Sequence, residues 1–214
     1  MRLLLTDVLR CPRCGPDCGL ILLADRIDEE RRVERGRLGC ANCRNAYPIE
    51  SGVLDLRLEG TSATQPSKET EADGDAAVRL AALLGLSAGA GRVALRGFAA
   101  PVASQVAALV PEVGVVELRA ERGEVTVPEV DEVLAVRDFP FADRTLRGVA
   151  LRGPAEPQDL AAAVRIVVPG GRIVVAGSGS GVEATLRSLG AEILLSEGET
   201  VVARTGVASP RSTG

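Results

Sequence analysis

The chain has 214 residues, a formal net charge of −4, and 46% hydrophobic against 25% charged residues, the balance of an ordinary globular protein of one domain or a small module plus a larger one. It contains no His and no Trp, and 24 of its 25 basic residues are Arg, with Lys68 the exception; Ser-His-Asp and Cys-His catalysis and imidazole-held metals are therefore excluded, and a single Lys in a polar stretch argues against Schiff-base and P-loop chemistry. The acidic balance and scarce aromatics argue against nucleic acid. No apolar run is long enough for a signal peptide or a membrane span, so a cytoplasmic location with reduced thiols is expected.

All five Cys fall in the first 43 residues. Residues 1–58 form a block of balanced charge, ten Arg against ten acids through Gly60. Cys11-Pro-Arg-Cys14 and Cys40-Ala-Asn-Cys43 are two C-x2-C knuckles, with residues 15–39 between them. Each knuckle places two thiolates on one turn, and two such turns supply the four sulfurs that tetrahedral zinc prefers. Leu20-Ile-Leu-Leu and Arg32-Val-Glu-Arg flank a polar turn and predict the hairpin that brings the knuckles together. Zn2+ on Cys11, Cys14, Cys40 and Cys43 is the expected occupant, ahead of unloaded thiols or disulfides. Four sulfurs leave no open coordination position, so the role is structural. Cys18 is surplus: a half-buried free thiol, or a stand-in for Cys14.

Residues 59–75 lack apolar periodicity and read as a linker. Beyond them the pattern predicts a helix over 76–86, a strand over 92–96, a helix over 101–110 and a strand over 113–118. A weaker strand follows over 131–136 and another over 147–152. A helix over 157–167, a strand over 172–176, a helix over 181–189 and strands over 191–196 and 200–204 complete the block. Alternating helices and strands with continuous apolar runs such as Ile173-Val-Val-Ala predict a parallel α/β sheet covered on both faces. The short Glu197-Gly-Glu connection predicts an antiparallel hairpin at one edge. No internal repeat is evident, and the tail, 206–214, is expected to fray.

Two resemblances follow. Leu3-Leu-Leu-Thr-Asp-Val-Leu-Arg-Cys-Pro-Arg-Cys, Leu38-Gly-Cys-Ala-Asn-Cys and Ala46-Tyr-Pro-Ile-Glu-Ser-Gly-Val-Leu-Asp-Leu together resemble the zinc-ribbon family of the small methyltransferase activator subunit. That resemblance covers about residues 3–57 and implies a module that pairs with a class I methyltransferase or is fused ahead of one. Asp138-Phe-Pro-Phe-Ala-Asp-Arg-Thr-Leu-Arg-Gly-Val and Arg165-Ile-Val-Val-Pro-Gly-Gly-Arg-Ile-Val-Val are similar to stretches of S-adenosylmethionine-dependent class I methyltransferases. This second resemblance covers about residues 76–205 and implies a Rossmann-like sheet. In the Arg165 segment, Pro169 is expected to stop the helix and Gly170-Gly171 to turn the chain into the next strand.

The cofactor motifs of that family are mostly missing. Its first strand ends in an acid followed by G-x-G-x-G; here Leu95 stands at the acid, Gly97 alone survives, and Ala99 and Pro101 replace the other glycines. A Cβ and a proline ring there crowd the ligand path. The acid that binds ribose in the family matches Glu117, which reads equally as a solvated strand-end carboxylate, and the acid facing adenine becomes Ala135. Asp138 and Asp143 read as loop carboxylates, not bases. Gly177, Gly179 and Gly181 after Ile173-Val-Val-Ala, with Glu197 further on, imitate a dinucleotide fingerprint too close to the C-terminus to complete a nucleotide-binding half.

The expectation is a four-cysteine ribbon linked to a degenerate methyltransferase fold that has lost ordinary cofactor binding and acts as a non-catalytic partner or scaffold for another protein, a methyltransferase among the candidates. The alternative is an active S-adenosylmethionine-dependent methyltransferase that holds its cofactor through Gly97 and Glu117.

Overall fold

The computed structural model describes residues 1–58, 75–87, 89–122, 127–135, 139–177 and 180–206. The linker, apart from Asp75, lies outside them, as do Asp138, Gly179 and the tail beyond Gly206.

The first block is a four-stranded ribbon. A 3-10 turn at Leu3–Leu5 precedes β1 (Ile21–Ile27) and β2 (Val33–Gly39), which pair as the antiparallel hairpin expected between the knuckles. β3 (Ala46–Glu50) adds to β2, and β4 (Val53–Asp55) returns antiparallel to β3. The tight return at Ser51-Gly52 takes both residues left-handed, and Gly meets that requirement at no steric cost.

The second block follows the expected order: α1 (Ala76–Leu84), β5 (Gly91–Arg96), α2 (Ala100–Leu109), β6 (Val113–Arg119), β7 (Val130–Leu134), β8 (Leu146–Arg152), α3 (Pro157–Ile166), β9 (Val167–Ala176), α4 (Val182–Ser188), β10 (Glu192–Glu197) and β11 (Thr200–Arg204). α1 stops at Leu84 because Gly85 enters the left-handed region and its N–H closes back on the helix, the usual glycine C-cap. β5, β6, β7, β8 and β9 pair in parallel, while β11 and β10 close the edge as an antiparallel hairpin. One face packs on α3 and α4 through Leu160, Ile166 and Leu186. The other packs on α1 and α2 through Leu80, Leu84, Val102 and Val106.

Two features differ from expectation. Pro169-Gly170-Gly171 does not turn a helix into a strand; α3 ends at Ile166 and β9 begins at once. The Pro-Gly-Gly segment is instead a bulge within the ladder, where pairing jumps from Leu146 with Val167 to Gly148 with Arg172. A Cβ on Gly171 would stand 2.5 Å from the Arg147 carbonyl, so only glycine fits that approach.

The ribbon is also not a separate body. β4 pairs in parallel with β7, giving one 11-stranded sheet in the order β1-β2-β3-β4-β7-β6-β5-β8-β9-β11-β10. The seam is reinforced by backbone hydrogen bonds from Arg10 N to Pro140 O and from Ala142 N to Val8 O, both 2.8 Å. Asp131 on β7, 1% exposed, accepts from the Arg2 backbone N–H at 2.6 Å and lies 3.9 Å from the Arg2 and Arg32 guanidiniums. A buried carboxylate needs such partners, and the ribbon supplies them. One apolar core runs from Met1, Leu5 and Tyr47 through to Phe141, Leu151 and Ile173.

Candidate metal centre and strand-end crevice

The two knuckles meet. The Sγ atoms of Cys11, Cys14, Cys40 and Cys43 all lie within 4.8 Å of one another, with Cys11 to Cys43 and Cys14 to Cys40 each at 3.7 Å. A tetrahedron with Zn–S bonds of about 2.3 Å has edges of about 3.8 Å, so the spacing fits zinc, and all five cysteines are free of disulfides. Each knuckle closes on a left-handed residue, Gly15 at φ +90 and Arg44 at φ +61, whose N–H returns to the first cysteine's carbonyl at 2.9 Å. The Tyr47 hydroxyl lies 3.3 Å from Cys11 Sγ, and Asn42 Nδ2 donates to Cys14 Sγ at 3.3 Å. Burial pushes the Cys11 thiol up, but the Tyr47 hydroxyl and the knuckle amides outweigh it and bring the pKa down to about 7, whereas for Cys43 the Asn45 backbone is outweighed by burial and the neighbouring sulfurs, which raise it to about 11. Cys18 stands outside the four, half-buried, with its Sγ 3.9 Å from Asn42 Nδ2.

The second region is the crevice at the carboxyl ends of β5 and β8. The connections diverge here, since α2 leads to β6 on one side and α3 leads to β9 on the other; open α/β sheets bind ligands at such switch points. Arg96 ends β5. Its guanidinium donates to Asp159 at 2.9 Å, with a second contact at 2.8 Å, and stacks 4.8 Å from the Phe139 ring centroid. Asp159 also accepts from the Glu156 N–H in the capping box of α3. Arg96 therefore clamps the first turn of α3 to the end of β5. Gly97 follows at φ +80, where a Cβ would run into the Arg152 carbonyl oxygen; its glycine is accounted for by this strand-to-strand approach. Arg152, at the end of β8, lies 6.0 Å from the Phe98 ring centroid.

Glu117 is not solvated. It is 5% exposed on β6, directly across from Glu132 on β7, which is 4% exposed. Arg119 lies 3.7 Å from Glu117 and 4.0 Å from Glu132. Burial pushes the Glu117 carboxyl up to about 7, Arg119 opposes the rise and Glu132 adds to it. Asp143 is an exposed loop carboxylate paired with Arg165 at 2.6 Å. Gly177 directly follows β9, while Glu197 sits on β10, two strands away in the sheet, and not on the adjacent strand that the dinucleotide fingerprint uses.

Arg96, Asp159, Arg152 and Phe139 were not legible as a group, yet one signal was available. Val93-Ala-Leu-Arg-Gly-Phe-Ala-Ala-Pro101 and Val149-Ala-Leu-Arg-Gly-Pro-Ala-Glu-Pro157 share seven of nine residues, so a short internal repeat does exist. The two copies form the adjacent strands β5 and β8 and the turns into α2 and α3. The ladder pairs Arg96 with Leu151, which puts the two arginines on opposite faces of the sheet.

No family model matches the chain, and no curated protein matches it. Among solved structures, the [4+2]-cyclase SpnF aligns at 12% identity and TM-score 0.53, covering 70% of this chain and 90% of that one. A Burkholderia thailandensis 1,6-didemethyltoxoflavin-N1-methyltransferase aligns at 15% identity and TM-score 0.48, covering 61% and 76%. A methyltransferase complex with the Trm112 activator of Haloferax volcanii aligns at 14% identity and TM-score 0.45, covering 62% and 90%. The fold is thus a Rossmann-like α/β sheet, shared with that cyclase, carrying a four-cysteine module. Among the described residues no helix is long and apolar enough to cross a membrane.

Proposed function

We propose that the chain is a non-catalytic zinc protein, a ribbon over 1–58 and a methyltransferase-like body over 76–205, acting as a partner or scaffold for another protein. Arg96 carries this reading. At the strand end where the resemblance would place a cofactor, its guanidinium is already bonded to Asp159 and stacked on Phe139, and Ala99 and Pro101 stand where open glycines would be needed. A fold alone does not license an activity. Cys11, Cys14, Cys40 and Cys43 hold the zinc, which stabilises the ribbon and the seam it makes with β7. The ribbon's first partner is the body of its own chain, and a methyltransferase is a candidate for the external one.

Titration calorimetry of the purified chain with S-adenosylmethionine tests the reading. No saturable heat is expected. Micromolar binding would overturn it and favour the alternative, in which Gly97 and Glu117 hold the cofactor of an active methyltransferase. Elemental analysis is expected to give one zinc per chain, and a metal-free chain with reactive thiols would sink the ribbon assignment.

A further inference from the structure

The outer face of the ribbon reverses the usual burial pattern. Along β1, Ile21, Leu23 and Ile27 are 58%, 48% and 47% exposed. The opposite face of the ribbon carries Leu38, Tyr47 and Ile49 into the core, so the outward aliphatics are not part of that core. The register extends the patch across three strands. Leu23 lies opposite Arg37 and Arg37 opposite Pro48, while Ile21 lies opposite Gly39 and Gly39 opposite Ala46. Pro48 and Ala46 are exposed. Exposed aliphatics gathered in this way on both sides of Gly39 and Arg37 mark an interaction site.

Its charges identify the occupant. Arg35 and Arg37 on β2 and Asp25 on β1 are exposed, and among the described residues none of the three has an ion-pair partner, whereas neighbouring Arg26 pairs with Glu34 at 2.7 Å. A rim of one sign would suit a partner of the opposite sign. A face that carries unpaired charges of both signs among exposed aliphatics is able to complement itself. A two-fold axis through it would set Asp25 of each copy against Arg37 of the other, with the aliphatic side chains stacked beside them. We infer that the outer ribbon face formed by Ile21, Leu23, Arg37, Ala46 and Pro48, with Asp25 at its rim, docks a second copy of the chain in a two-fold dimer. The ladder of β1 is irregular between Ala24 and Ile27, which blunts that open sheet edge against continuous strand addition. Association is therefore face to face, as between packed sheets, and closes at two copies.

Sedimentation velocity of the full chain over a concentration series tests this. The 22.2 kDa monomer is expected to convert to a dimer as concentration rises. Leu23→Asp should raise the dimer Kd by about tenfold or more. Asp25→Arg and Arg37→Asp should each weaken the dimer, and combining them should restore it. Leu194→Asp, on the far edge of the sheet, should leave it unchanged, and thermal unfolding shows whether each variant keeps its fold. A chain that stays monomeric throughout overturns the inference. So does a dimer that tolerates Leu23→Asp, or charge swaps with no mutual rescue. None of these readouts depends on whether S-adenosylmethionine binds.

Discussion

In the ribbon, four sulfurs from two distant turns converge within 4.8 Å with no disulfide between them. Four sulfurs at that spacing match the donor set of a tetrahedral cation and are left unbridged by the chain, so the arrangement suits a ligand. In the crevice between β5 and β8, the polar groups answer each other. Arg96 is bonded to Asp159, Asp159 caps α3, and Gly97 lies against the Arg152 backbone. Both regions sit at turns where ligands commonly bind, and they differ in whether their bonding capacity is left open or satisfied within the chain. That difference separates a centre with open bonding capacity from one closed within the chain, which the fold alone does not do.

The largest effect is expected at the metal centre. Chelation, or Cys40→Ser, is expected to cost about 4 kcal/mol or more and to disturb β7 as well as the ribbon, since Asp131 depends on Arg2 and Arg32. A chelator-dependent drop in melting temperature, with one transition for the whole chain, checks this. A chelator-insensitive melt would contradict it.

The next effect lies beside the crevice. The Glu117 carboxyl is raised from an ordinary value near 4.5 to about 7, so the folded chain keeps a proton that the unfolded chain releases. Its contribution is fully present below pH 4.5 and is lost as pH rises to about 7, a decline of about 3 kcal/mol. Denaturant titrations of the wild type and Glu117→Gln across that range should show the slope and its flattening.

Asp159→Ala, by freeing Arg96 and uncapping α3, should cost about 2 kcal/mol. Calorimetry on this variant with S-adenosylmethionine separates two causes: under the proposed reading, absence of binding here too places the obstruction in Ala99 and Pro101 as well as in the clamp. The smallest effect is a gain. Arg44 holds a left-handed conformation at the end of the second knuckle, and Arg44→Gly should stabilise the chain by about 0.5 kcal/mol, read as a small rise in melting temperature.

What was legible in advance was whatever local pattern carries. The knuckle spacing named all four sulfurs, and the helix–strand alternation placed β5 to β11 within a residue or two except for β9, which begins five residues early at Val167, because periodicity reports burial along a single element. Pro169-Gly170-Gly171 misled because the same residues that end helices also relieve crowding within a strand, and only the neighbouring Arg147 carbonyl decides which. Glu117 was open between a solvated acid and a ligand, because a strand-end acid is exposed or buried according to its neighbours, here Glu132 and Arg119; its burial removes only the solvated reading.

The sequence by itself determined the thiolate set, the order of the elements and the thinning of the cofactor glycines, all of which are properties of residue type and spacing. Only the tertiary structure decided that the ribbon continues the sheet through β4 and β7, that Arg96 meets Asp159 from 63 residues away, and that Ile21 and Leu23 face outward. Each of these depends on which surfaces meet when distant segments pack, and chain-local pattern carries no record of that.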